Sequence, residues 1–199
     1  MEYNFTKENI IELLEEKDQN IVQQLYDDAF RTKIDNVGNK VYLRGLVEIT
    51  NICRKNCLYC GIRRDNPSND RYEIDIEDVI PAARFAYEQG YGSMVIQGGE
   101  RHDKKFRDKI TSILKEVRKI SSESPLGITL SLGEQPFDVY QEWFEAGAHR
   151  YLLRIESSTQ ELFEKIHPVD EFHSFQTRLT ALEDLRRAGY QVGTGVMIG

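Results

Sequence analysis

From Val41 to the last residue, short apolar runs of strand length alternate with amphipathic segments of helix length, and this rhythm constrains the fold more than any other feature of the chain. The runs are Val41–Ile49, Ser93–Ile96, Gly127–Leu132, Tyr151–Ile155 and Tyr190–Ile198. Between them lie the helical segments Glu77–Gln89, Lys104–Ile120, Phe137–Ala146 and Phe175–Ala188, with a short helical turn near Glu161–Ile166. Gln89-Gly90, Ala146-Gly147 and Ala188-Gly189 each stand just ahead of a strand. A glycine there adopts the left-handed conformation that closes a helix. Repeated strand–helix units with short links predict an α/β fold, a parallel sheet with helices packed outside it.

Two architectures share this rhythm, the doubly wound open sheet and the (β/α) barrel. The dinucleotide-binding open sheet wants Gly-x-Gly-x-x-Gly after its first strand, whereas Val41–Ile49 leads into a run of cysteines. The barrel fits better, with its chemistry on loops at the C-terminal ends of the strands. Five runs do not close an eight-stranded barrel, and the chain stops at Val196-Met197-Ile198-Gly199. An apolar strand without a neighbour is an exposed edge. The expectation is therefore a barrel truncated after about its fifth strand, roughly three βα units short.

Residues 6–36 read as two helices, the first capped by Thr6, the second started by Asp18 or Asn20 and followed by Gly38. This divides the chain into an N-terminal helical extension, 1–40, and a core domain, 41–199. With 40% hydrophobic and 30% charged residues the composition suits a globular protein with a real core. The net charge of −7 argues against nucleic acid as the main partner, because phosphate binding needs a basic footprint. No apolar run approaches a membrane span, and Met1-Glu2-Tyr3-Asn4 lacks the basic start of a secretory signal. A cytoplasmic location is expected.

All three cysteines fall in Cys53-Arg54-Lys55-Asn56-Cys57-Leu58-Tyr59-Cys60, a C-x3-C-x2-C spacing. A cubane [4Fe–4S] cluster takes one thiolate per iron. Three thiolates leave one iron open to bind and reduce a small molecule. A structural zinc site wants four Cys/His ligands in a tetrahedron, and the nearest histidine, His102, has no partner at finger-like spacing. A disulfide framework wants an even cysteine count in a small secreted chain.

Further residues cluster where strands end. Gln97-Gly98-Gly99-Glu100 closes the second run; two glycines let the backbone approach a ligand, and a carboxylate can accept from an ammonium. Alternation along the third run puts Thr129, Ser131 and Gly133 on one face, and along the fourth it aligns Leu152, Arg154 and Glu156. Hydroxyls and an Arg-x-Glu pair inside a barrel are costly to bury without a ligand or mutual pairing. Arg178, near the start of a later helix, reads equally well as a solvated residue.

The cysteine loop, with Val47-Glu48-Ile49-Thr50-Asn51 ahead of it and Tyr59 before its last cysteine, resembles that of the radical S-adenosylmethionine (radical SAM) superfamily, C-x3-C-x-aromatic-C. The resemblance narrows to the [FeFe]-hydrogenase maturase HydE family of the biotin-synthase-like group. It does so through Ser131-Leu132-Gly133-Glu134, the Gly147–Glu156 stretch, Lys165-Ile166-His167-Pro168 and the Gly189–Gly199 stretch. It implies a TIM-type barrel with a [4Fe–4S] cluster on Cys53, Cys57 and Cys60 and SAM on the open iron. By the same likeness Tyr59 packs toward adenine, and Gly98, Gly99 and Glu100 hold the SAM amino group. Thr129, Ser131, Arg154, Glu156 and Arg178 line the site, with Glu156 and Arg178 on SAM and Arg178 at its carboxylate. Gly195–Gly199 resembles the Gly-x-Ile-x-Gly adenine strand, with methionine in the isoleucine position.

The implied activity is reductive cleavage of SAM to methionine and a 5′-deoxyadenosyl radical during assembly of the diiron site. The implied partners are a low-potential donor of ferredoxin or flavodoxin type, other hydrogenase maturation factors, and a small-molecule or organometallic substrate. The enzyme is expected to be a monomer. The alternatives are another biotin-synthase-like enzyme, of biotin synthase or methylornithine synthase type, and a non-catalytic iron–sulfur protein.

Overall fold

The computed structural model describes residues 4–121 and 123–198; Gly199 of the adenine-strand stretch and the Met1–Tyr3 start lie outside them. The chain divides into two compact units, with the boundary between Tyr42 and Leu43.

The first unit carries α1 (Lys7–Glu15) and α2 (Gln19–Val37). Both begin where a side chain can replace a missing helical partner. Thr6 Oγ1 accepts from Asn9 N at 3.3 Å, and Asp18 Oδ1 accepts from Asn20 N at 2.8 Å. Gly38 closes α2 at φ 73°.

The second unit runs β1 (Gly45–Thr50), α3 (Ile76–Glu88), β2 (Ser93–Gly98), α4 (Lys104–Ile120), β3 (Gly127–Ser131) and α5 (Phe137–Glu145). It continues through β4 (Arg150–Leu152), α6 (Gln160–Ile166), α7 (Phe175–Arg187) and β5 (Gln191–Gly193). Among the described residues the four pairings between these strands are parallel, and the strand order is β1-β2-β3-β4-β5. A doubly wound sheet would reverse direction at a switch point. This order has no reversal, so the sheet is an arc of (β/α) barrel wall.

Register divides the strand residues between the two faces. Val47, Ile96, Leu130, Tyr151 and Val192 are successive partners across the sheet. The first four are buried against the helices, and Val192 packs against the same core. From the helix side, α4 contributes Phe106, Ile110, Ile113, Leu114 and Val117, one stripe at helical spacing. Each such fully buried side chain stabilises the fold by roughly 1.5–3 kcal/mol. The rungs that alternate with this row, Leu46–Val95–Thr129 and Glu48–Gln97–Ser131, line the concave face.

Positive-φ glycines end α3, α5 and α7: Gly90, Gly147 and Gly189. The strands are shorter than the apolar runs. Val41–Arg44 precede β1, and β4 stops at Leu152, so Arg154 and Glu156 sit on the loop beyond it rather than in a strand.

Candidate functional site

The loop from Asn51 to Tyr72 carries the cysteines, and its two ends are tied together where β1 stops. Thr50 Oγ1 donates to Tyr72 O at 2.6 Å, Asn51 Nδ2 donates to Asp70 O at 2.8 Å, and Asn51 Oδ1 accepts from Tyr72 N at 2.8 Å. Inside the loop the Arg71 guanidinium donates to the carbonyls of Asn51, Ile62, Arg63, Arg64 and Asn66 at 2.7–3.3 Å. One planar fork replaces the sheet ladder that this long loop lacks. From the α6–α7 side, Leu58 N donates to Ile166 O at 3.0 Å and Asn56 N donates to His173 Nε2 at 3.0 Å.

Cys53, Cys57 and Cys60 are free and half-buried. The β2 turn presses against the first of them. Glu100 N donates to Cys53 Sγ at 3.3 Å, and Arg54 N donates to Glu100 O at 2.9 Å. Gly99 makes this approach possible, since a Cβ there would lie 2.7 Å from the Ile52 carbonyl carbon and 2.8 Å from Cys53 Cβ. Burial pushes the Cys57 thiol up to about 11, with the nearby Tyr59 hydroxyl pulling the other way. Burial raises Cys53 as well. A bound cation inverts that preference and takes the thiolate form.

A cavity of about 380 Å³ opens at the C-terminal ends of β1 to β4. That size is within the range of small-molecule sites. It brings together Cys53, Cys57, Tyr59, Cys60, Gly98, Gly99, Glu100, Ser131, Arg154, Glu156 and Arg178. Thr129 is placed elsewhere: one rung below Ser131, it lines a separate cavity with Val95, Leu152 and Gly193, and its buried hydroxyl has no partner among the described residues. The residue alternation that paired it with Ser131 is correct, but two residues along a strand are about 6.6 Å of depth.

Glu156 is the non-glycine residue with positive φ, 67°, among the described residues. Such strain is held where surrounding bonds overdetermine it. Here Glu156 N donates to Gly195 O and Met197 N donates to Glu156 O, both at 3.0 Å. Arg154 is half-exposed and stands 3.4 Å from the Glu156 carboxylate. Tyr59 OH lies 3.3 Å from His167 Nε2, with the two rings edge to face.

Four buried charges underlie the cavity. Lys55 Nζ lies 2.7 Å from Glu134 Oε2 and 3.7 Å from Glu100 Oε1. Arg178 donates through Nε to Glu134 Oε1 and through Nη1 to Arg154 O at 2.6 Å. Burial drives the Glu100 carboxyl up to about 7 even with Lys55 pulling down. Glu134 goes the other way: burial opposes its charge, but Arg178 and Lys55 outweigh it and hold the carboxyl below its ordinary value. Arg178, which the residues alone left open, is buried on the fourth position of α7. Lys55 and Glu134 were not singled out from the sequence. Their signals are a cation inside the C-x3-C spacer and a carboxylate closing β3 as Glu100 closes β2.

The donor set fits an iron–sulfur cluster with an open iron. It offers three soft thiolate ligands at one mouth, with a backbone N–H on one sulfur. Among the described residues no three His, Cys, Asp or Glu side chains converge as a single-ion site. A cubane does not ask for that, because its thiolates go to separate irons.

Comparison with known proteins agrees with this chemistry. The model of the radical SAM superfamily, whose enzymes hold a [4Fe–4S] cluster and SAM, matches residues 47–199. The chain is 40% identical over 196 residues to the [FeFe] hydrogenase maturase subunit HydE of Thermotoga maritima, covering 98% of this chain and 54% of that one. It is 29% identical over 180 residues to a biotin synthase of Magnetococcus marinus, covering 88% and 54%. The chain thus spans about half the length of the curated relatives it matches. Among solved structures, methylornithine synthase superposes with a TM-score of 0.85 at 22% identity, over 99% of this chain and 57% of that one, which speaks to the fold. With the fold, the thiolate mouth and the family match in agreement, the chain belongs to the radical SAM superfamily of enzymes.

Proposed function

We propose that the protein cleaves SAM reductively and serves in building the diiron site of [FeFe]-hydrogenase. The observation that carries this reading is the single cavity where the three cysteines meet Glu100, Glu156 and Arg178. The similarity to HydE at 40% identity favours the maturase role over that of a biotin synthase.

In this reading Cys53, Cys57 and Cys60 hold the cluster, while Tyr59 and the Gly195–Ile198 segment flank the adenine. Glu100 accepts from the amino group of SAM and Arg178 donates to its carboxylate, the charge-assisted pairs that suit a zwitterionic amino-acid head. Ser131, Glu156 and Arg154 offer polar contacts along the rest of the cavity. When bound, the cluster and SAM supply the chemistry: one-electron cleavage of the sulfonium C–S bond to methionine and a 5′-deoxyadenosyl radical. The protein's part is to orient the ligand and keep water from it. The electron comes from a low-potential ferredoxin or flavodoxin, and the substrate is a small organometallic precursor handled together with other maturation factors in the cytoplasm. Among the described residues no helix is long and apolar enough to cross a membrane.

The test is anaerobic reconstitution of the full-length protein, reduction with dithionite, and measurement of 5′-deoxyadenosine. Cys→Ser at 53, 57 or 60 should abolish both the iron–sulfur absorbance and the product. Activation of apo-hydrogenase in a defined maturation mixture should require the protein. Turnover of dethiobiotin or lysine in its place would move the assignment to biotin synthase or methylornithine synthase.

A further inference from the structure

Of the four charged side chains beneath the cavity, Glu134 joins the two cations. Oε2 takes Lys55 Nζ at 2.7 Å, and Oε1 takes Nε of Arg178. The Lys55, Glu100, Glu134 and Arg178 side chains are all less than a tenth exposed. An unpaired charge at that depth is strongly disfavoured, and both cations meet this demand at Glu134.

The geometry divides the cations unequally. Two nitrogens of Arg178 are committed to the protein, Nε to Glu134 and Nη1 to the Arg154 carbonyl. Among the described residues Nη2 has no hydrogen-bond partner, and Arg178 lines the cavity. A guanidinium held at two corners has its plane fixed, and its third corner is preset for an anion. Lys55 stands closer to Glu134, 2.7 Å, than to Glu100, 3.7 Å. Lys55 Nζ also donates to Phe172 O, so Glu134 and that carbonyl together draw the ammonium off Glu100 and leave that carboxylate for another cation.

We propose that Glu134 is a positioning residue for the amino-acid end of SAM: it aims Arg178 at the carboxylate and keeps Lys55 from occupying Glu100. This rests on reading the cavity as the SAM site. The loop that presents Glu134 is braced for such a role. Its backbone N donates to Glu100 Oε2 at 2.8 Å, and its carbonyl accepts from His102 Nε2 at 2.7 Å. On either side, Tyr151 OH donates to Gly133 O at 2.8 Å and Gln135 N donates to Tyr140 OH at 2.9 Å. Those two tyrosines stack edge to face in the core with 5.2 Å between ring centroids. A carboxylate on such a loop is oriented before any ligand arrives.

Three ligands separate this role from a merely structural one: SAM, decarboxylated SAM, which keeps the ammonium, and methylthioadenosine, which has neither charged group. Equilibrium binding is measured on anaerobically reconstituted full-length protein. Glu134→Gln is expected to weaken SAM about tenfold, to leave methylthioadenosine unchanged, and to shrink the preference for SAM over decarboxylated SAM. Glu134→Asp should recover part of that preference. Equal losses for all three ligands, or unchanged SAM affinity, would overturn the proposal. Arg178→Gln in parallel separates the two levels. If it abolishes the carboxylate preference while Glu134→Gln does not, only the positioning role fails. If Arg178→Gln has no effect either, the assignment of the cavity to SAM fails with it.

Discussion

Gly133 leaves the space that the Glu100 side chain fills: a Cβ at 133 would stand 2.6 Å from both Cβ and Cγ of Glu100. The same glycine sits at φ 75°, so an L side chain is strained there apart from any clash. Gly133→Ala should therefore destabilise the domain by about 1–3 kcal/mol and displace Glu100. Chemical denaturation reads the first effect, and a SAM titration the second. An alanine variant with wild-type stability and affinity would mean that the β2 and β3 turns are not packed as described.

A second carboxylate ties the end of the cysteine loop to the barrel's outer helix. Glu73, bridged to Thr50, accepts from Lys109 at 2.9 Å and from Arg101. Burial opposes its charge, but Lys109 and Arg101 outweigh burial and hold the carboxyl below its ordinary 4.5. A depressed carboxyl contributes stability above its unfolded pKa and loses it as pH falls through the folded value. Wild type should therefore exceed Glu73→Gln in stability by about 1–2 kcal/mol at pH 7, the scale of charge-assisted bonds in a partly buried setting. The gap should close below pH 4.5. Urea unfolding of both proteins across pH 3–7 checks this, and a gap independent of pH would rule out an ionic origin.

Where local chemistry decides the outcome, the chain is readable. Thr6 and Asp18 cap helices because their oxygens serve backbone N–H groups two or three residues away. Gly90, Gly147 and Gly189 close helices by conformation alone. Strand ends are less legible, because apolarity records burial and not pairing. Beyond Leu152 the backbone still touches its neighbour, through Leu153 N to Gly193 O at 3.0 Å, but Ile155 N turns to Thr194 Oγ1 at 3.1 Å and the ladder breaks. The buried ion network is the least legible part. Lys55 and Glu134 look like solvated loop residues until the fold brings positions 79 apart within a hydrogen bond. Alternation likewise gives Thr129 and Ser131 the same face without distinguishing their depth.

Glu100→Gln tests the amino end of the proposed SAM site with little disturbance of the fold. Burial already lifts this carboxyl to about 7, so the neutral amide replaces a group whose charge the protein holds at a cost. The amide oxygen can still accept from Glu134 N, now 2.8 Å from Oε2, and Lys55 keeps Glu134 as its counter-ion. Apoprotein stability should stay within about 1 kcal/mol of wild type, and the cluster absorbance should be unchanged. What is lost is the charge-assisted bond to the ligand ammonium, on the order of 1.5–3 kcal/mol. That corresponds to roughly ten- to hundredfold weaker SAM binding. Methylthioadenosine, without the ammonium, should bind both proteins equally. An equal loss for both ligands would show that the substitution had disturbed the cavity as a whole, and unchanged SAM affinity would reduce Glu100 to a residue that shapes the turn.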